Sequence, residues 1–420
     1  MKNLVNTIFY SNGNFSLVFA ACLLLSAFPI LPYGVLTIAI IVFAFSIIWD
    51  IYNNSLTFKL NFTSNFKKYL LFTLFYFLLL FSSFWSEDSL KGLNSHTVGI
   101  PILIFPLSFI FGKSRLKSGQ QNIVLTVFVI ASITAGFFIL GLAYKELSET
   151  GFKQLFYTSA IRRNMANKSS FLRFHPTYIS TCFLLSIGIL ISRLRSSQKA
   201  TRKIVKILFI VFLLFMIIIC ASRAAIITLV LAGFIFFIKS PKFKLPHKVL
   251  IITVFSLVSY LAVTNIFLLS SRFLIISNEL VLPQGEKPSS ISIRYGIYKC
   301  SYHLIKENWL FGVGVGDTQT MLNKCYNTYP TDHFKTKNIN THNYFFHLVS
   351  SAGIFALIAL ISLLVYLFKI ALLKKNDLFL LFMIILTVNL LFENLLVRSY
   401  GVIFFCFFIT YFFLSESFKE

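Results

Sequence analysis

Apolar residues follow one another along this chain in long unbroken blocks, and the polar residues fall between the blocks rather than alternating with them. A helix that crosses a bilayer needs about 20 mostly apolar residues, within a range of about 17–25. The blocks predict twelve such helices, near 15–31, 33–52, 69–86, 98–112, 122–143, 175–194, 204–221, 224–239, 248–270, 343–368, 377–397 and 400–414. The fourth, eighth and twelfth are short for a span. Barrel strands alternate apolar and polar side chains, and bare backbone groups are costly in lipid, so unbroken runs mean helices. The expected fold is an all-α polytopic membrane protein of about 12 transmembrane helices. One large polar interruption divides it into residues 1–270 with helices 1–9, a partly helical loop over 271–342, and residues 343–420 with helices 10–12. A second long connection lies near 144–174. The first apolar block lacks a small-residue cleavage pattern and runs straight into the second, so it reads as a retained anchor. No internal repeat of the kind that marks many transporters is evident.

Composition agrees with this reading. Of the 420 residues 57% are apolar and only 12% charged, with a mean hydropathy of +0.80. Soluble domains are about 45–50% apolar and about 25% charged. A water-soluble enzyme, a disordered chain and a fibrous chain are all excluded. Lys and Arg number 38 against 14 Asp and Glu, a net charge of +24. In a soluble protein such an excess suggests nucleic acid, but in membrane proteins Lys and Arg concentrate in cytoplasmic loops.

Their positions set an orientation. With a cytoplasmic N-terminus, the inner connections carry Lys59, Lys67 and Lys68; Lys113, Arg115 and Lys117; Arg193, Arg195, Lys199, Arg202, Lys203 and Lys206; Lys239, Lys242, Lys244 and Lys248; and Lys369, Lys374 and Lys375. The short outer connections hold only Lys91, Arg223 and Arg398. Both termini are then cytoplasmic in a bacterial inner membrane, and the 271–342 loop is periplasmic. No nucleic acid is expected. The two long outer connections are basic although they face outward. Long loops escape the charge rule, so these charges need another reason, and an anionic substrate is one.

Cys22, Cys182, Cys220 and Cys406 lie in spans and read as small core residues. Cys300 and Cys325 share the large outer loop, where an oxidising compartment would let them pair. There is no P-loop, HExxH, CxxC pair or EF-hand loop. Gly312-Val-Gly-Val-Gly316 lacks the third glycine at the right spacing for a dinucleotide site and reads as a flexible turn packed close to other backbone. Glu87 and Asp88 could help hold a metal, although a solvated helix end is the plainer account. No cofactor or metal is expected.

Ionisable residues at a membrane boundary are costly and invite a functional reading. Four converge on the outer face. His342, in Thr341-His-Asn343-Tyr344, sits where the large loop re-enters the membrane, and histidine suits proton transfer near neutrality; the bland alternative is an interfacial helix cap. Arg294 lies on an amphipathic stretch running to Trp309 and suits a phosphate, or else a surface ion pair. Arg223, in Cys220-Ala-Ser-Arg-Ala-Ala225, occupies a minimal turn between two spans, where it could simply snorkel. Lys91 follows Glu87 and Asp88 and is otherwise an ordinary solvated lysine. His175, at the outer start of the sixth span, is a weaker fifth.

Arg294, Trp309, Gly312-Val-Gly-Val-Gly316, His342-Asn343 and the small-residue helix that follows resemble the O-antigen ligase/polymerase (Wzy_C) superfamily. The resemblance covers about 290–355, and the span layout extends it. Ser222-Arg223-Ala224, Glu393 and Gly401 fit the same pattern; the His175 segment and the cysteine pair do not belong to it. The resemblance implies a polyprenyl-diphosphate-linked glycan donor used at the periplasmic face. It implies catalytic roles for His342, Arg294 and Arg223, with Asn343 expected at the substrate; Lys91 and His175, on their outer-face positions alone and with no inherited role, are expected there too. Transfer is expected to be metal-independent and inverting. Ligation of O-antigen to lipid A-core ranks first. Polymerisation and protein O-glycosylation remain as alternatives within the superfamily. A polysaccharide flippase or a structural membrane protein are readings of a different class.

Overall fold

The computed structural model describes residues 10–11, 14–53, 62–150, 165, 175–195, 198–239, 246, 281–286, 288–335 and 338–415. The expected ninth span, near 248–270, lies outside the described residues, as does most of the 144–174 connection.

Fourteen α-helices of a turn and a half or more are described. They are α1 (Leu17–Ser26), α2 (Tyr33–Tyr52), α3 (Phe62–Phe81), α4 (Ser89–Ser95), α5 (Pro101–Ile110), α6 (Ser118–Thr150) and α7 (Pro176–Arg195). After them come α8 (Ala200–Cys220), α9 (Arg223–Lys239), α10 (Ser290–Asn308), α11 (Thr318–Tyr326), α12 (Tyr344–Leu373), α13 (Asp377–Phe392) and α14 (Ser399–Leu414). The strands among the described residues are a two-residue antiparallel pair, Tyr10–Ser11 with Asn14–Phe15.

The all-helical expectation stands, but the twelve spans are not confirmed. Six helices among the described residues are long and apolar enough to cross a bilayer, or seven if the bent pair Ser89–Gly99 and Pro101–Ile110 counts as one. The shortfall has local causes. The first apolar block stops as a helix at Ser26 and continues through a 3₁₀ turn at Phe28–Ile30 that carries Pro29. The fourth block is bent by 42° ahead of Pro101, a residue tolerated at a helix start but not inside one. The last two blocks form α13 and α14, each 16 residues.

Phenylalanine fills the interior. Phe379 stacks on Phe412 with ring centroids 4.5 Å apart, and Phe72 meets Phe413 edge-on at 5.3 Å. Nearly all of α14 is buried. α12 packs along α3 and α13, and α14 along α5.

α12 is broken at Gly353, where φ is 78° and ψ −174°. Only glycine occupies that region without strain. The break leaves backbone groups needing partners, and the glycine loop supplies them. Val313 N–H donates to Ser350 O at 2.8 Å and Gly314 N–H to Ser351 O at 3.0 Å, while Ile354 N–H donates to Trp309 O at 2.9 Å. A Cβ on Gly312 would stand 2.5 Å from the Ser351 carbonyl carbon. The glycines of Gly312-Val-Gly-Val-Gly316 are thus a close backbone approach that docks α10 and α11 onto α12.

Candidate functional site

The end of α13 is the meeting point. α7 and α9 pack against α13, and α10 packs against α12. The chain leaves the helix at Glu393, which is extended with φ −149° and ψ 153°. This turns a carboxylate into a space bounded by four other segments.

Glu393 uses both oxygens. Oε1 accepts from the Arg294 guanidinium at 3.1 Å, and Oε2 lies 3.0 Å from His342 Nδ1. The Glu393 side chain is only 9% exposed, against 27% for Arg294 and 30% for His342. So the carboxylate is the shielded centre, and its two partners reach outward from it. Arg294 also donates to Phe392 O at 3.4 Å, placing a cation on the negative end of α13.

Electrostatics follow from this arrangement. Burial alone would raise the Glu393 carboxyl, but the hydrogen bond from His342 and the positive charges of His342, Arg294 and His175 outweigh it and hold the carboxyl below its usual range. An ionised carboxylate only accepts hydrogen bonds. The His342 Nδ1 beside it therefore carries the proton, and Nε2 is left as the ring's acceptor when the imidazole is neutral.

His342 is held by its own loop. Its φ is 46°, a left-handed conformation uncommon for a residue with a Cβ. Its N–H donates to Asn340 Oδ1 at 3.0 Å. The preceding Thr341 is buried and donates to Asn394 Oδ1 at 2.9 Å, tying the loop to the residue after Glu393. On the other side, the Tyr298 hydroxyl donates to His342 O at 3.5 Å.

Arg223 opens α9 two residues after Ala221, whose φ of 45° makes the sharp reversal from α8. A cavity of about 240 Å³ joins this turn to the rest, lined by Arg223, Arg294, His175 and Glu393 among others. His175 keeps an exposed edge. Desolvation by the surrounding protein, with the nearby charges of Arg398, His342 and Arg294, nevertheless lowers its imidazole below the ordinary range despite the opposing pull of Glu393.

The structure thus brings together four of the six residues expected at the site: His342, Arg294, Arg223 and His175. Lys91 is elsewhere, beyond the residues that line this cavity. It is exposed, and its Nζ donates to Thr320 Oγ1 at 3.1 Å. Asn343 is the N-cap of α12, its side-chain oxygen accepting from Phe346 N–H at 3.1 Å. Asp88 caps α4 through Lys91 N–H at 3.0 Å, while Asp317 accepts from the Glu87 N–H at 2.6 Å. The described residues contain no group of three or more His, Cys, Asp and Glu side chains suited to a metal. Cys300 and Cys325 are joined by a disulfide with Cα atoms 5.8 Å apart, linking α10 to α11.

Two contributors were not assigned roles from sequence. Glu393 falls inside the eleventh apolar block, where a carboxylate among Leu, Phe and Val is itself a signal. Arg398, a loop charge in the sequence reading, adds positive charge that disfavours protonation of His175.

No curated protein matches the chain. The Wzy_C family model, described as O-antigen ligase, matches residues 208–361. That stretch contains Arg223, Arg294 and His342, and over it the chain is similar to the O-antigen ligase family.

Proposed function

We propose that the chain is an inner-membrane glycosyltransferase that moves a glycan from a polyprenyl-diphosphate donor to an acceptor hydroxyl at the periplasmic face, and that the reaction is ligation of O-antigen to lipid A-core. The family-model match over residues 208–361 supports glycan and lipid-linked substrates in general. One observation carries the finer reading: a single shielded carboxylate, Glu393, holds a histidine and an arginine beside a cavity that a second arginine also lines.

The chemistry needs two things at once, a proton acceptor for the attacking hydroxyl and positive charge for the departing diphosphate. His342 Nε2 takes the acceptor's proton, its ring fixed by Glu393. The acceptor oxygen bonds to the anomeric carbon, and the bond to the diphosphate oxygen breaks, its electron pair leaving on the diphosphate. Arg223 and Arg294 stabilise that charge. A guanidinium has five N–H donors, so Arg294 can serve Glu393 and an anion together. A single displacement of this kind inverts the anomeric centre. General-base help contributes about a hundred- to ten-thousandfold, and one preorganised donor about a hundred- to a thousandfold. With arginines in this role no divalent ion is required, so chelation should leave the transfer rate unchanged. Strong inhibition by a chelator would contradict that point.

In this reading, residues 271–342 form the periplasmic loop that carries catalytic elements between 1–270 and 343–420. His175 lines the donor's path. Lys91 and Asn343, which sit away from the cavity or cap a helix, act outside the reacting centre.

The experiment is the lipopolysaccharide banding of a deletion strain. Loss of all O-chain from the lipid A-core, with lipid-linked polymer accumulating, is expected. Cores capped by a single repeat unit would instead mean polymerisation, and unaltered lipopolysaccharide would overturn the assignment.

A further inference from the structure

Arg294 and His342 are joined twice. One link is Glu393, whose two oxygens take the two side chains. The other is Tyr298. It stands four residues after Arg294 on α10, and residues at that spacing are neighbours on one helix face. Its hydroxyl takes a hydrogen bond from the Arg294 guanidinium. In turn it donates to His342 O at 3.5 Å. The order Arg294 N–H, Tyr298 O–H, His342 C=O uses the hydroxyl as acceptor and donor at once.

The hydroxyl keeps its hydrogen at neutral pH. Burial raises it above the ordinary tyrosine range, and the Glu393 charge adds to the rise, while the charge and hydrogen bond of Arg294 pull the other way. The side chain is therefore a neutral phenol, able to make both bonds of the link.

The two ends of this link differ in what else holds them. Arg294 also donates to Glu393 Oε1 at 3.1 Å and to Phe392 O at 3.4 Å, so its guanidinium keeps its place without Tyr298. The His342 backbone has less to spare. Its φ of 46° lies in the left-handed region, which a residue with a Cβ keeps only where its surroundings hold it. Asn340 Oδ1 takes the His342 N–H at 3.0 Å, and Tyr298 takes the carbonyl. The tyrosine ring lies edge-on to Phe346, in the first turn of α12, with centroids 5.7 Å apart. The ring thus packs on the turn that follows His342, and the hydroxyl holds His342 itself.

We infer that Tyr298 is a positioning residue: it ties the His342 backbone to the arginine side of the site, so that the imidazole stands at a fixed place relative to the donor's diphosphate. Within the glycosyltransferase reading, on which this rests, Tyr298 acts through His342 and not on the substrates. A misplacement of about 1 Å in a reacting group can cost about a hundredfold in rate, so a single hydroxyl that fixes the base has a measurable effect.

The test is a kinetic cycle of purified full-length wild type, Tyr298→Phe, His342→Ala and the double variant, with polyprenyl-diphosphate-linked O-antigen and lipid A-core from the host as substrates. Tyr298→Phe removes one oxygen and keeps the ring against Phe346. It should lower kcat about tenfold, with KM for donor and acceptor unchanged. In the His342→Ala background the same change should cost nothing further, because no imidazole remains to be placed. A hydroxyl that merely stabilised the fold would cost the same in both backgrounds, and that result would overturn the inference. A raised donor KM at unchanged kcat would also overturn it, by placing Tyr298 on the diphosphate. Wild-type kcat in Tyr298→Phe, with His342→Ala impaired, would overturn the inference and leave the glycosyltransferase reading standing. Wild-type kcat in His342→Ala would overturn both.

Discussion

Glu393 is worth more than either of its partners, because it is the group that cannot move into water. With 9% of its side chain exposed, it fixes the ring of His342 and one edge of Arg294 together. Exchanging it for glutamine keeps the shape and removes the charge. The amide can then donate to Nδ1 and turn the ring to the wrong tautomer, as happens when the carboxylate of a serine-protease triad is replaced. Glu393→Gln should lower kcat by about a hundred- to ten-thousandfold, with KM for the acceptor little changed; a purified-enzyme transfer assay checks both. The carboxyl is held below its ordinary range, which gives the pH dependence a sign. The unfolded chain takes up that proton more readily, so the pairing contributes fully above about pH 4.3. It is lost as pH falls through the depressed folded value. Thermal melts should therefore separate wild type from Glu393→Gln at pH 7 and converge in strong acid.

At the scale of elements, two features hold the site-bearing pieces in register. The first is the break in α12. Gly353 combines a positive φ with an extended ψ, and a Cβ there would overlap Leu310 O. Gly353→Ala should lose about 1–3 kcal/mol from backbone conformation alone, with the clash in addition. The loss is measurable as a lower melting temperature by tryptophan fluorescence. The second is the disulfide between α10 and α11, which closes a loop of sequence separation 25. Chain entropy puts its contribution at about 3 kcal/mol, so Cys300→Ala with Cys325→Ala should melt earlier than wild type, and reductant should lower wild type to match. The helix that carries Arg294 was legible in sequence, because its buried positions Ser292, Gly296, Ile297, Cys300 and Leu304 repeat at helical spacing. The glycine turn was legible as a close approach. The break at Gly353 was not, because an apolar run reads the same on both sides of it.

For the molecule as a whole, the distribution of charge anticipates which residues cluster. Lys68, Arg115, Lys369 and Lys374 were assigned to one side from sequence and line one cavity. Lys239 and Asp377, from two connections expected on that same side, form an ion pair at 3.0 Å. His175, Arg223, Arg294 and His342 were assigned to the other side, and they gather around Glu393. Which of these residues share a membrane face is an expectation that rests on loop charges. The number of spans was harder. Short apolar blocks such as 98–112 and 400–414 can bend, stop or sit within other helices, and hydropathy does not register this. Which of the outer cations share a cavity also required the fold. Lys91 and Arg223 are both basic residues in short outer connections, yet only Arg223 lines the space beside Glu393.

The central claim is that His342, oriented by Glu393, removes the acceptor's proton while the arginines hold the donor. The most direct measurement is steady-state transfer by purified His342→Ala from a polyprenyl-diphosphate-linked glycan to an acceptor, with donor binding measured alongside. The account predicts a fall in kcat of about a hundredfold or more, with donor affinity kept and the protein inserted normally in the membrane. Wild-type kcat in that variant would contradict it.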